Sequence, residues 1–300
     1  MFFQQLINGL TLGSVYAVIA LGYTMVYGIL ELINFAHGEI YMLGAYLGII
    51  LLGFFSASGF TGYGLGLALF LTVVFSTAFC AMYGFAMEKM AYKPLRNAPR
   101  LSPLISAIGV SIFLQNFVML TQGATDKVFP YQFENMVMIF GDVRMTATQM
   151  LIIAVSILMM LSLRLFITHT RVGKAMRATS QDKTMAALIG INIDTIISIT
   201  FVIGAALAAV AGVMVALYYG VVNYTIGYIA GIKAFTAAVL GGIGSIRGAM
   251  VGGIALGLIE SVGAAYVSAE YKDAIAFVIL ILILLVKPAG IFGRDVPEKV

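Results

Sequence analysis

Between Ile33 and Glu39 the chain reads Ile-Asn-Phe-Ala-His-Gly-Glu, and no Lys or Arg occurs before Lys89. An amide, an imidazole and a carboxylate are costly among apolar residues unless they face protein, water or a solute. Asn34, His37 and Glu39 are therefore candidates for a path that carries a polar solute. Glu260, deep in a second apolar run, is a further candidate. An ionised carboxylate near a bilayer centre costs about 2.5–3.5 kcal/mol on insertion scales, so Glu260 has to face protein or water. A structural alternative stands beside this: the cluster bonds helix ends at a break, and Glu260 is protonated or paired with a helix terminus.

The rest of the chain offers little other chemistry. There is no Gly-x-x-x-x-Gly-Lys-Ser/Thr phosphate loop, and the Gly241–Gly248 run carries Arg247 where a dinucleotide fingerprint needs its third glycine. The only histidines are His37 and His169, and the 17 methionines are spread as apolar filler. A single Cys80 excludes a disulfide within the chain and any cysteine-based metal site. No nucleophile and base pair suggests hydrolysis. A non-catalytic protein without metal or cofactor is expected.

The elements that must position these residues are set by the solvent. With 61% hydrophobic and 10% charged residues and a mean hydropathy of +1.04, the chain is far from the roughly 25% charged composition of soluble domains. Crossing a hydrocarbon core of about 30 Å takes about 20 apolar residues in a helix. Candidate spans are 9–30, 40–55, 64–87, 104–120, 150–167, 196–218, 229–241, 249–267 and 274–286. The expected fold is all-α, one polytopic transmembrane bundle over 1–300 with eight or nine crossings and some short or broken helices. Met-Phe-Phe-Gln-Gln lacks the basic region of a secretory signal, so the first helix is expected to stay.

Lys and Arg beside short loops are retained on the cytoplasmic side. This places Lys89, Lys93, Arg96 and Arg100 inside, together with Arg164, Arg171, Lys174, Arg177 and Lys183 and the tail with Arg294 and Lys299. The connection 122–149, with Asp126, Glu134 and Asp142 against Lys127 and Arg144, falls outside. The N-terminus is outside if 40–55 crosses, and inside if that segment is re-entrant. Locally, Ser102 and Pro103 read as a helix start, Asp194 as a cap, and Lys287-Pro288-Ala289-Gly290 as a helix stop. A hairpin is expected over 137–146, turning at Gly141-Asp142.

Glycines recur at helical spacing, as in Gly9/Gly13, Gly44/Gly48, Gly244/Gly248/Gly252 and Gly253/Gly257, which lets helix backbones approach closely in lipid. Four glycines within 241–248 should break a helix, either to expose backbone to a solute or as a plain cytoplasmic turn. Gln115 and Asn116 read as interhelical bonds, Glu31 as reaching an interface, and Lys233 as snorkelling outward.

The segment 171–192 mixes basic residues with short apolar patches, the pattern of helices at a membrane face. It reads either as a surface helix on lipid headgroups or as a dock for a cytoplasmic partner. Together with it, Gly22-Tyr23-Thr24-Met25-Val26-Tyr27-Gly28, Ile33 to Glu39, Gly173-Lys174-Ala175-Met176-Arg177-Ala178 and Val239-Leu240-Gly241-Gly242-Ile243-Gly244-Ser245 resemble the LivH-type permease of bacterial branched-chain amino acid ABC transporters. The similarity extends to Leu-Val-Lys-Pro-Ala-Gly-Ile-Phe-Gly at 285–293.

The resemblance implies a multi-pass subunit of the bacterial inner membrane that pairs with a second, LivM-like permease. It also implies two cytoplasmic ATPases as the power source and a periplasmic binding protein that delivers leucine, isoleucine or valine. Family loops of the pattern Glu-Ala-Ala-x-x-x-Gly insert into the ATPase. Here Thr184, Met185, Ala186 and Gly190 stand at those positions, with Thr for Glu and Met for the first Ala, and Lys174 and Arg177 lie just upstream. Related permeases carry urea and short amides. An ion-coupled secondary transporter is the reading that needs no basic dock.

Overall fold

The computed structural model describes residues 2–96, 98–99, 101–130, 137–140 and 143–293. Arg100, Glu134, Gly141, Asp142, Arg294 and Lys299 lie outside the described residues. Eleven helices occur within them: α1 Phe2–Leu30, α2 His37–Ala57, α3 Leu65–Met87, α4 Leu101–Gln122, α5 Ala147–His169, α6 Arg171–Gln181, α7 Lys183–Leu188, α8 Ile193–Tyr219, α9 Ile226–Gly241, α10 Ile246–Tyr266 and α11 Lys272–Val286. Seven of them (α1 to α5, α8 and α10) are long and apolar enough to cross a membrane. The shorter α9 and α11 occupy the two remaining positions at which crossings were expected.

The chain is a multi-pass membrane protein, and its long helices are apolar almost all round because both lipid and neighbouring helices are apolar. Close packing is left to small residues. A Cβ on Gly9 would stand 2.8 Å from Leu258 Cα and one on Gly13 2.8 Å from Ile254 Cα, so α1 lies directly on the backbone of α10. Gly44 meets Ala209 in the same way, joining α2 to α8.

Gln4 donates to the Arg144 carbonyl at 2.8 Å, and Gln149 donates to Asn8 at 3.0 Å. The N-terminal end of α1 thus sits at the end of the bundle that carries the acidic connection after α4. The other end of α1 meets α6. The basic α6 and the N-terminal end of α1 therefore lie at opposite ends of the bundle, the arrangement that puts the N-terminus outside if the basic end is cytoplasmic.

Strands β1 Lys127–Val128, β2 Val137–Phe140, β3 Val143–Thr146 and β4 Val221–Val222 lie at the end of the bundle that holds the N-terminal end of α1. β2 and β3 form the expected hairpin, pairing Val137 with Thr146 and Phe140 with Val143. α11 ends before Lys287-Pro288, with Gly290 at φ 75°. The glycine run after α9 is a tight turn, with Gly242 and Gly244 at positive φ, and residues 291–292 bond to its rim.

Four local expectations change. α4 opens at Leu101, ahead of Ser102 and Pro103. The cap of α8 is Asn192, whose side chain accepts from Thr195 N, while Asp194 pairs with Lys93 and Arg96 instead. Asn116 donates within its own helix to Ile112 O, because its side chain points away from every neighbouring helix. Lys233 is buried and ion-paired rather than snorkelled, since two carboxylates lie within its reach.

Candidate functional site

α1 ends at Leu30 with Glu31 at φ 59°, and the chain then doubles back into the bundle before α2 begins. Asn34 makes the turn: its Oδ1 accepts from Ala36 N at 3.1 Å and from Tyr92 OH at 2.7 Å. The His37 ring then fills the space left by Gly22 on α1 and Gly204 on α8 and stands edge-on to Tyr23 at 4.7 Å. Gly22 lies eight residues before the end of α1, about 12 Å along a helix axis at 1.5 Å per residue. α2 therefore starts well inside the bundle.

α9 starts inside it as well, from the opposite end. The same local motif builds both breaks, displaced by 189 residues. Glu31 and Gly220 both have positive φ, at 59° and 68°. Asn34 and Asn223 each accept from the backbone N–H two residues on, at 3.1 and 3.2 Å. Each asparagine carbonyl also accepts from the residue three on, His37 or Ile226. Gly38 and Gly227 occupy matching places and touch each other across the centre, each one's added Cβ meeting the other's carbonyl. Since α1 runs inward and α8 outward, the two halves are an inverted repeat, in which α10 lies on α1 as α3 lies on α8. Such repeats meet at the bilayer midplane in transporters, with half-helix N-termini facing the solute.

Glu39 sits at this junction. Its Oε1 accepts from Ser111 Oγ on α4 at 3.1 Å, and its Oε2 is packed against Gly227 in the first turn of α9. The positive end of a helix favours a carboxylate placed there. In front of Ser111 opens a groove of about 380 Å³ walled by Tyr23, Phe35, Ile108, Ile112, Tyr228 and Phe235, with Gln115 as a second polar group. The groove suits a branched aliphatic side chain, and its polar wall suits a small charged head. Asn34, His37 and Glu39 are all held between helices behind it and do not line it; Glu39 meets the groove only through Ser111.

Glu260 stands elsewhere, in the C-terminal half of α10, with its Oε1 2.7 Å from Lys233 Nζ. At the end of the bundle opposite the N-terminus Lys174, Arg177, Thr184, Met185 and Gly190 are exposed, while Ala186 is turned inward. Leu188 and Ile189 add apolar surface that no part of the described chain covers. Arg177 also lines a cleft of about 90 Å³ with Thr24, Met25 and Gly28, which puts α6 in touch with the helix that leads to the break. Beside it the buried Glu88 is bound by Arg96 and by Ser198 Oγ at 2.7 Å, pinning the end of α3 to α8.

Reading from sequence missed Ser111, Tyr92 and the Lys233–Glu260 pair, which no local pattern announces. The repeat did leave a signal, Asn-aromatic-x-x-Gly-x-Ile at both 34–40 and 223–229. Among the described residues no three His, Cys, Asp or Glu are grouped so as to hold a metal ion.

The family model for the permease component of branched-chain amino acid transport systems matches residues 5–284. The high-affinity branched-chain amino acid transport system permease protein LivH of Escherichia coli (strain K12) is 51% identical over 100% of this chain and 98% of its own. BraD of Pseudomonas aeruginosa, of the same description, is 51% identical with the same coverage. A probable LivH of Methanocaldococcus jannaschii is 27% identical over 94% of this chain and 90% of its own.

Proposed function

Because the chain belongs to the family of permease components of branched-chain amino acid transport systems, we propose that it forms one wall of the membrane path for leucine, isoleucine and valine in an ATP-driven importer. The observation that carries this reading is the meeting of two half-helix N-termini, α2 and α9, inside the bundle with the Glu39 carboxylate between them, beside an aliphatic groove that opens on the outer face of the chain. A second, LivM-like permease closes the groove from that face. Two cytoplasmic ATPases drive the pair, and a periplasmic binding protein loads it in the inner membrane.

The segment 171–192 is the ATPase dock. Its exposed Met185, Leu188 and Ile189 offer apolar contacts, and Lys174 and Arg177 offer charge. ATP binding draws the docks of the two permeases together, α6 passes the motion to α1 through the cleft at Arg177, and the repeat halves reorient around the Gly38–Gly227 contact. The loaded binding protein acts by having higher affinity for one of the two states. No residue of this chain performs covalent chemistry; ATP hydrolysis belongs to the partners.

The test is uptake of labelled leucine into proteoliposomes that hold this chain with its neighbouring permease and ATPases, with binding protein outside and ATP inside. ATP-dependent accumulation of leucine, isoleucine and valine is expected. Accumulation driven by an ion gradient with the ATPases omitted would overturn the reading, and so would uptake of urea or short amides in preference to leucine.

A further inference from the structure

A second polar cavity lies away from the groove, at the outer end of the bundle. It holds about 190 Å³, and its wall includes Tyr16, Tyr41, Tyr219, Asn223, Lys233 and Asp273. Lys233 Nζ is 2.6 Å from Asp273 Oδ1 in front and 2.7 Å from Glu260 Oε1 behind, with Tyr16 OH at 3.5 Å. Lys233 and Glu260 are almost completely buried, whereas the Asp273 side chain is 42% exposed at the mouth, beside Lys272. Glu260 Oε2 has no hydrogen bond among the described residues.

The charges decide the ligand. Lys233 and Lys272 balance Glu260 and Asp273, so a ligand that preserves neutrality is itself neutral overall. Besides Lys272, the charged groups that line the cavity are an ammonium and a carboxylate in direct contact, Lys233 and Asp273. A zwitterion can open that pair by giving its carboxylate to Lys233 and its ammonium to Asp273. The proton that Lys233 withdraws from Asp273 has an acceptor waiting in Glu260 Oε2, so no buried charge is left unpaired. A lone cation or anion would leave one.

We propose that this cavity is a receiving site for the zwitterionic α-amino acid head group on the outer side, upstream of the groove; this rests on the reading of the chain as an amino acid permease. Asp273 is the ammonium partner, Lys233 the carboxylate partner, and Glu260 the residue that positions Lys233. An aminophospholipid head group carries the same pair of charges, and the experiment separates the two sources.

Saturation-transfer NMR on the purified permease–ATPase complex in phosphatidylcholine nanodiscs, without binding protein, provides the test. The probes are leucine, isopentylamine, which lacks the carboxylate, and 4-methylpentanoate, which lacks the ammonium. Leucine should bind at least roughly tenfold more tightly than either, the factor expected for one charged hydrogen bond. Asp273→Asn and Glu260→Gln should each weaken leucine binding by roughly tenfold or more and erase its advantage over 4-methylpentanoate. Asp273 is partly exposed, so its variant folds even if the Glu260 variant does not.

Equal leucine affinity in wild type and Asp273→Asn would overturn the proposal, as would loss of leucine binding when phosphatidylethanolamine is added to the nanodiscs. If the complex proves to carry a different solute, the transport reading fails on the uptake assay, while zwitterion binding that depends on Asp273 remains measurable on its own.

Discussion

Gly227→Ala probes the contact at which the two repeat halves meet. The new methyl would stand 2.7 Å from the Gly38 carbonyl oxygen, 2.5 Å from Glu39 Oε2 and 2.9 Å from Met42 Cβ, whereas ordinary contact begins near 3.4 Å. One of these neighbours is backbone, so α2 and α9 must part by about 0.7 Å, and overpacking of that kind costs about 1–3 kcal/mol. Alanine is also the better helix former by up to about 1 kcal/mol, which offsets part of that cost. Gly53→Ala, on α2 with nothing within 4 Å of the added methyl, removes this ambiguity because it gains the propensity without the clash. The Gly227 variant should therefore be about 1–3 kcal/mol less stable than the Gly53 variant, read as the midpoint of thermal inactivation of the purified complex in detergent. Leucine uptake should fall in the first and persist in the second. If both variants melt together and transport alike, the two N-termini do not meet at this glycine pair, and the path has been placed wrongly.

Glu39→Gln keeps the acceptor for Ser111 but removes the charge at the α9 terminus, worth up to about 2 kcal/mol in a partly buried site; uptake should drop at unchanged membrane abundance, and normal uptake would refute a role in the path. Gly190 has φ 87° with open space around its α-carbon, so Gly190→Arg strains the backbone and covers the dock; ATPase copurification and stimulation by loaded binding protein should be lost while the two permeases still copurify. Full stimulation would move the dock to the Lys89–Arg96 region. Glu88→Ala removes a fully buried carboxylate from Arg96 and Ser198 and should cost about 3 kcal/mol, with Glu88→Gln milder; equal melting of the two would show that the charge contributes nothing there. In a chain whose Cys80 has been replaced, a cysteine at Asp126 should react with an impermeant reagent in intact cells, and cysteines at Lys93 or Lys183 should not; labelling of the latter two would reverse the orientation.

Much of this protein was legible before any coordinates, because lipid imposes one-dimensional rules. Hydrophobic length marked every helix that spans or nearly spans, basic residues marked one face, and glycine spacing marked where α1 meets α10. Those signals are local or compositional, so a single chain read in order reveals them. The motifs around 22–39, 173–178 and 239–245 added the family.

The fate of the polar residues was decided only in three dimensions. Asn34, His37 and Glu39 look alike as a cluster, yet neighbours from five other segments divide them: Tyr92 takes Asn34, the Gly22–Gly204 gap takes His37, and Ser111 with the α9 terminus takes Glu39. Lys233 looked like a snorkelling residue because its partners lie 27 and 40 positions away in sequence, on helices whose rotation about their axes no pattern states when each helix is apolar on every side. An all-apolar helix specifies its length and its solvent; the face it turns to its neighbours is set by where small residues let backbones close together and where buried charges find their opposites.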